Sequence, residues 1–222
     1  MADLKTARLN LPASSDELRA LEIGTVVYLD GRVFTAREGA YKRAIEDGFG
    51  MPAPREALGR VNFHCSPAAS INSDCSYTVG AVTATASFRF AKWLDGWLDL
   101  SGCNIIIGKG GMTAEIYRKS FVPHQAIYLT TVGYGTGALL GRGLKRVAGV
   151  YWLEELGLAQ AVWVLEVENF GPFLVESDLA GNSLFERENA KIAPRLAQLY
   201  EGTRPATMRR YGETDDKTEE VI

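Results

Sequence analysis

Cysteine and histidine are scarce in this chain. Three cysteines (Cys65, Cys75 and Cys103) and two histidines (His64 and His124) are spread over 222 residues. An odd cysteine count without C-x-x-C spacing argues against a disulfide framework and a structural zinc site. The thiols read as reduced and mostly buried, the usual state of free cysteine. With two imidazoles in all, a self-contained transition-metal site is not expected either. A basic excess is also missing. The net charge of −3 gives no overall field to draw nucleic acid or anionic lipid. No apolar run approaches the ~20 residues of a membrane span. The longest, around Asn104–Ile107 and Ala161–Val167, are strand-sized. Met1 to Pro12 carries charges early and lacks an apolar h-region, so it does not read as a signal peptide. These absences point to a cytoplasmic protein without nucleic-acid or membrane partners.

What is present suits one ordinary globular domain. The hydrophobic fraction of 46% is enough for a sizeable core at this length. A domain over residues 1–200 is expected, with a polar, mobile tail over 201–222, where periodicity ends. Leu9 to Ala13 reads as extended, and Ser14-Ser-Asp-Glu as a capped helix start. Val26-Val-Tyr-Leu is a strand ending at Asp30-Gly31, a two-residue hairpin signal, with Arg32 to Thr35 returning. Helices are expected over Glu38–Asp47, Ser87–Leu100, Met112–Phe121 and Ser183–Gln198. Further strands are expected at Val61–His64, Tyr77–Val79, Asn104–Ile107, Ala126–Val132, Val147–Leu153, Ala161–Val167 and Phe173–Ser177. Ser66 to Ser76 reads as a polar loop. The Trp and Phe residues of Ser87–Leu100 recur at helical spacing and read as core rather than as a ligand cage. The pattern describes a layered α/β domain with a mixed sheet.

Three loops carry the chemistry. The first, Thr35-Ala-Arg37-Glu-Gly-Ala-Tyr-Lys-Arg43, sets an arginine at a strand-to-helix junction, where a carboxylate can be bound bidentately. A local cap or salt bridge is the competing role for Arg37. The second, Thr83-Ala-Thr85-Ala-Ser87-Phe-Arg89, groups hydroxyls before another arginine, although Thr and Ser are also ordinary helix caps. The third, Ile107-Gly-Lys109-Gly-Gly-Met112, puts a lysine among glycines after a buried strand. The spacing is not that of a phosphate loop, and Gly133-Tyr-Gly-Thr-Gly lacks the third glycine of a dinucleotide fingerprint. Two arginines, a lysine and hydroxyls suit a small dianion, and no nucleophile–base dyad or ligand set accompanies them. The reactive centre must then come from outside the chain.

Ordered blocks carry a resemblance. Val26 to Arg43, Ile106-Ile-Gly-Lys-Gly-Gly-Met112, Trp152-Leu-Glu-Glu-Leu-Gly157, Glu168-Asn-Phe-Gly-Pro-Phe-Leu-Val175 and Asp178-Leu-Ala-Gly-Asn-Ser-Leu-Phe185 resemble, in order, the β subunits of L(+)-tartrate dehydratases and the C-terminal domains of class I fumarases. The likeness spans roughly Leu9 to Pro194. It implies a swivelling β/β/α domain and an iron–sulfur hydro-lyase acting on a small hydroxy dicarboxylate. The [4Fe-4S] cluster would be bound by a separate α subunit and not by this chain. By position, Arg37, Arg89 and Lys109 would match the family's carboxylate-binding cations, and Thr85 its proton-accepting threonine. Thr83 is the alternative base, and Thr83 and Ser87 also join the substrate-binding set, with Lys109 beside Thr85 in catalysis. The family's second threonine is Ala86 here, its Asp and His after Arg37 are Glu38 and Tyr41, and His-Ala-Gly-Pro reads His64-Cys-Ser-Pro67. These changes leave a second reading, a structural or regulatory subunit with a degenerate pocket.

Overall fold

The computed structural model describes residues 4–133 and 135–202. Its strands are β1 (Thr6–Asn10), β2 (Val26–Thr35), β3 (Val61–Phe63), β4 (Cys65–Ile71), β5 (Tyr77–Ala84), β6 (Ile105–Gly108), β7 (Ile127–Thr131), β8 (Leu144–Tyr151) and β9 (Val162–Ser177). The run β1-β2-β3-β6-β7 is parallel throughout, and β9 is antiparallel to β7, β8 and β2. Because β9 pairs with β7 along one edge and with β2 along the other, β2, β3, β6, β7 and β9 close into a ring. Closure satisfies backbone groups that an open sheet would leave at its edge. β4 and β5 form a separate antiparallel pair.

Strand alternation sorts the core into two. Ile105, Ile107, Ile127 and Leu129 share one cluster with Trp163, Leu165, Phe170 and Phe173 of β9. The residues between them, Ile106 and Tyr128, face the other way, with Phe34, Val162 and Val164. Strands apolar on both faces are what a parallel sheet covered on both sides requires. Each such side chain, fully buried, contributes about 1.5–3 kcal/mol.

The helices are α1 (Ser15–Arg19), α2 (Glu38–Tyr41), α3 (Arg55–Leu58), α4 (Leu94–Ser101), α5 (Ala114–Ile116), α6 (Gly137–Gly141), α7 (Leu153–Leu156) and α8 (Leu184–Tyr200). The Ser14 side chain and Glu17 form the expected capping box on α1. α2 and α5 continue as π-turns to Glu46 and Phe121, and a 3-10 stretch, Ser87–Trp93, leads into α4. Their inward residues Tyr41, Phe90, Trp97 and Phe121 cover the outer face of the parallel strands. The Trp and Phe residues are core as expected, except Phe88, which is exposed. The mixed α/β architecture thus agrees with the pattern in the sequence. The chain divides between Glu186 and Arg187 into two compact units. The tail expected from residue 201 lies outside the described residues apart from Glu201 and Gly202.

Three local expectations are corrected. Asp30-Gly31 makes no hairpin: β2 runs straight through it as one strand of ten residues. Gly31 has φ +124 at a register shift against β9, so the dipeptide serves a bulge, which needs the same backbone freedom as the turn. Asp30 is held across the bulge by Arg8 and by the Asn169 backbone N–H, which donates at 2.8 Å. Ser66–Ser76 is mostly strand β4, reversing at Asn72–Ser76 into β5. Its polar alternation is that of a hairpin with one exposed face. Finally, Phe173–Ser177 is not a separate strand. It continues β9 past Gly171-Pro172, which punctuates the sequence without ending the ladder.

A Cβ at position 31 would lie 2.9 Å from the Leu11 Cβ and 3.0 Å from its carbonyl oxygen, in a conformation L side chains avoid. Gly31→Val is therefore expected to cost about 2–4 kcal/mol of stability, read by urea unfolding. A loss within the error of the measurement would show that the bulge is not a built feature.

Candidate functional site

In a parallel sheet, binding loops gather beyond the carboxyl ends of the strands. Here β2 runs out into Ala36-Arg37, β3 into His64 and β6 into Lys109. The segment Thr85–Ser87 adds itself between the last two. The Thr85 N–H donates to the His64 carbonyl at 2.7 Å, and the Lys109 N–H to the Thr85 carbonyl at 3.2 Å. The Ser87 N–H closes on the Lys109 carbonyl at 3.4 Å, and Ala86 bridges Lys109 in parallel register. Two of the three loops singled out in the sequence are thus stitched together by backbone. The first is tied in by the Arg89 guanidinium, which donates to Glu38 at 3.2 Å.

The predicted site residues occupy different situations. Arg37 stands at the N-cap position of α2 without capping it. It donates to the Ala159 carbonyl at 3.4 Å, and its buried Nε–H has no partner among the described residues. Arg89 and Glu38 are about half exposed. Lys109 and Thr85 are half-buried, and the Thr85 hydroxyl makes no hydrogen bond among the described residues. Thr83 is exposed further back on β5, opposite Ser66 and close to Gly137. Ser87 is completely buried.

Ser87 belongs to a chain of buried polar groups under the loops. The Tyr41 hydroxyl lies 2.9 Å from Asn62 Oδ1 and 2.7 Å from His64 Nε2, and His64 Nδ1 lies 2.7 Å from Ser87 Oγ. The Tyr128 hydroxyl donates to Ser87 Oγ at 2.7 Å. Asn62 Nδ2 faces the Phe34 carbonyl, so its Oδ1 can only accept from Tyr41. Tyr41 must then accept from His64 Nε2–H, which leaves Nδ1 to accept from Ser87. Every proton in the chain is assigned, and the imidazole is the neutral Nε2–H form. Burial drives this: it lowers the His64 pKa to about 3 and pushes that of Tyr41 well up. Tyr41 is held by stacking on Trp97 and Phe90, with centroids 4.0 and 5.3 Å away.

Gly108 makes room for this chain. A Cβ there would fall 1.8 Å from Ser87 Oγ and 2.5 Å from the Tyr128 hydroxyl. The glycine before Lys109 is needed for that close approach. The loop beyond Lys109 rests on a second buried group, Glu176, whose carboxylate accepts from Ser183 Oγ at 2.6 Å. Burial raises its pKa. Beside it the Tyr117 hydroxyl accepts from the Met112 N–H at 2.8 Å, and its pKa is raised by burial and by the Glu176 charge.

Sequence reasoning missed Tyr41, Asn62, Tyr128 and Glu176 as supports of the loops. The available signal was slight: a histidine directly after a buried strand, in a chain with only one other. Among the described residues metal donors are not assembled. Cys65 and Cys103 lie in different core clusters, and Cys75 is exposed on the β4–β5 turn. Burial holds the Cys103 thiol up at about 12. Among the described residues no three His, Cys, Asp or Glu side chains come together as ligands. These donors do not fit a [4Fe-4S] cluster held by this chain. Nor is any described helix long and apolar enough to cross a membrane.

The chain matches the family described as Fumarase C-terminus. Its profile matches residues 1–188, and the chain belongs to that family. Named relatives narrow the kinship. A Methanocaldococcus jannaschii protein provisionally named L(+)-tartrate dehydratase subunit beta is 36% identical over 82% of this chain and 93% of its own length. The Escherichia coli K12 L(+)-tartrate dehydratase subunit beta is 28% identical over 87% of this chain and 93% of its own. A Geobacillus stearothermophilus protein provisionally named fumarate hydratase class I is 27% identical over 90% of this chain, which corresponds to 37% of that longer protein.

The sealed imidazole has a measurable signature. The folded pKa, about 3, lies below the ordinary 6.5, so the unfolded chain takes up the proton first on acidification. The stability gained by keeping His64 neutral is whole above pH 6.5 and is lost as pH falls toward 3, by at most about 1.4 kcal/mol per pH unit. Urea unfolding across this window should show a slope shallower by about one proton in His64→Gln than in the parent. Equal slopes would mean that the imidazole is not sealed.

Proposed function

We propose that the chain is the β subunit of a hydro-lyase that reversibly dehydrates a small hydroxy dicarboxylate of the tartrate or malate–fumarate type. One observation carries this reading: the cationic loops of a fumarase-type domain converge at the carboxyl ends of β2 and β6, tied through Thr85–Ser87. Arg37, Arg89 and Lys109 would hold the two carboxylates. Thr85 would take the proton from the carbon next to the carbinol as hydroxide departs from its neighbour. The backbone bonds of Thr85 to His64 and Lys109 favour it over Thr83, which sits in the β4–β5 ladder. A threonine hydroxyl is not basic by itself, so Lys109 or the partner subunit must stabilise its deprotonated form. Ser87, with its proton committed to His64, supports the floor of the site rather than the substrate.

The reactive centre in this reading is a [4Fe-4S] cluster carried by an α subunit, supplying Lewis-acid activation of the leaving hydroxyl. This chain would swivel over that partner in the cytoplasm and bring the carboxylate anchors to the shared site. The alternative of a non-catalytic subunit draws on the Arg89–Glu38 pair, in which a protein carboxylate already occupies one anchor.

The test is anaerobic co-expression with the α-type partner and ultraviolet assay of enoate formation or loss across a panel of hydroxy acids. Lys109→Met and Arg89→Ala should each lower turnover about 100-fold or more with assembly intact. Near-normal rates in cluster-loaded complexes of both variants would remove these residues from the mechanism. A complex inactive on every acid tested would favour the non-catalytic reading.

A further inference from the structure

At the amino end of β3, away from the loops that follow it, the ring opens into a cavity of about 620 Å³. Leu11, Pro12 and Val167 give it an apolar wall, and Arg32, Arg55 and Arg60 also line it. These cations are not equivalent. Arg32 is paired: it donates to Glu166 at 3.1 Å, a carboxylate that Arg146 also holds, and to the Glu56 and Ala57 carbonyls at 3.0 and 3.2 Å. Lys145 is likewise matched, by Glu168 at 2.6 Å. Arg55 and Arg60 are oriented without being neutralised. Their Nε–H groups donate to two successive carbonyls at the end of α4, Ser101 and Gly102, each at 3.0 Å.

Anchoring through Nε leaves the two terminal nitrogens of each guanidinium for another acceptor. Neither arginine has a carboxylate within ion-pair distance among the described residues. Glu56 also lines the cavity but pairs with neither. Two guanidiniums anchored on successive carbonyls at the border of one cavity offer the forks that a carboxylate or phosphate accepts bidentately.

We propose that this cavity is a binding site for an organic anion with an apolar body. Its acid group sits on Arg55 and Arg60, and its body lies against Leu11, Pro12 and Val167. The volume falls in the ~300–1,000 Å³ range of sites for drug-sized ligands. A four-carbon hydroxy dicarboxylate would leave most of it empty and offer nothing to the apolar wall. The site is therefore distinct in ligand class from the one at the carboxyl ends of the strands, and it stands whether or not the reaction above is the right one.

The test is calorimetric titration of the full chain with four probes: phenylphosphate, 3-phenylpropionate, inorganic phosphate and succinate. At least one aryl acid is expected to bind with Kd below about 1 mM, at least about tenfold tighter than inorganic phosphate or succinate. Whether the phosphate or the carboxylate probe is the tighter identifies the acid group. The double variant Arg55→Gln/Arg60→Gln keeps an N–H donor for each carbonyl and should weaken binding at least about tenfold. Arg89→Ala, beyond the other end of β3, should leave the aryl-acid Kd unchanged. Circular dichroism of the double variant checks its fold, and should that variant unfold, Arg60→Gln alone carries the comparison. The proposal is overturned if neither aryl acid binds, if succinate binds as tightly, if the folded arginine variant retains the parent's affinity, or if Arg89→Ala abolishes binding.

Discussion

Both ring nitrogens of His64 are engaged at a fully buried position where burial disfavours the charged form. Protonation there would strand a cation among Phe90 and Tyr41, so the imidazole stays neutral and its tautomer is dictated by its neighbours. From that one constraint the local geometry follows. Tyr41 fixes the first turn of α2, Tyr128 fixes β7, and Ser87 fixes the start of the 3-10 stretch. The His64 backbone receives Thr85 on one side and joins Ile107 on the other. Elements from distant parts of the chain are thus registered against one ring. The missing Cβ of Gly108 is the space in which that registration occurs.

Much of the fold was legible because buried parallel strands have a distinctive composition: Asn104–Ile107 and Ala161–Val167 could hardly be anything else. The errors arose where one local preference serves two structures. Asp30-Gly31 meets the backbone demand of a hairpin and of a bulge alike, and only β9 arriving on the far edge decides between them. Gly171-Pro172 looks like a break because the next strand pair is out of sight in the sequence. The loops bearing Arg37, Arg89 and Lys109 could be found from local chemistry, glycine or small residues around single cations. Their supports could not, since Asn62, Tyr41, His64, Ser87 and Tyr128 meet only after the sheet has assembled.

In the proposed reading the chain brings carboxylate anchors, and its partner brings the reactive centre. Its cations sit in loops at the ends of strands, and the Cys65 and Cys103 thiols are buried apart with their protons held tightly. That division suits a domain whose family includes both separate β subunits and a segment of a longer single chain. What such a domain would supply is placement: positive charge held in loops at the ends of a buried sheet.

The ring formed by β2, β3, β6, β7 and β9 also has a temporal side. Val26 pairs with Leu174, and the strand that closes the ring is the last of the described strands. On a ribosome, β2 must wait for about 150 further residues before its second edge is covered, a contact order that implies slow folding. Until then the inner faces of four strands lie open to solvent and to one another. Synthesis of the final strand, more than any single turn or cap, sets the moment at which this chain can become a folded protein.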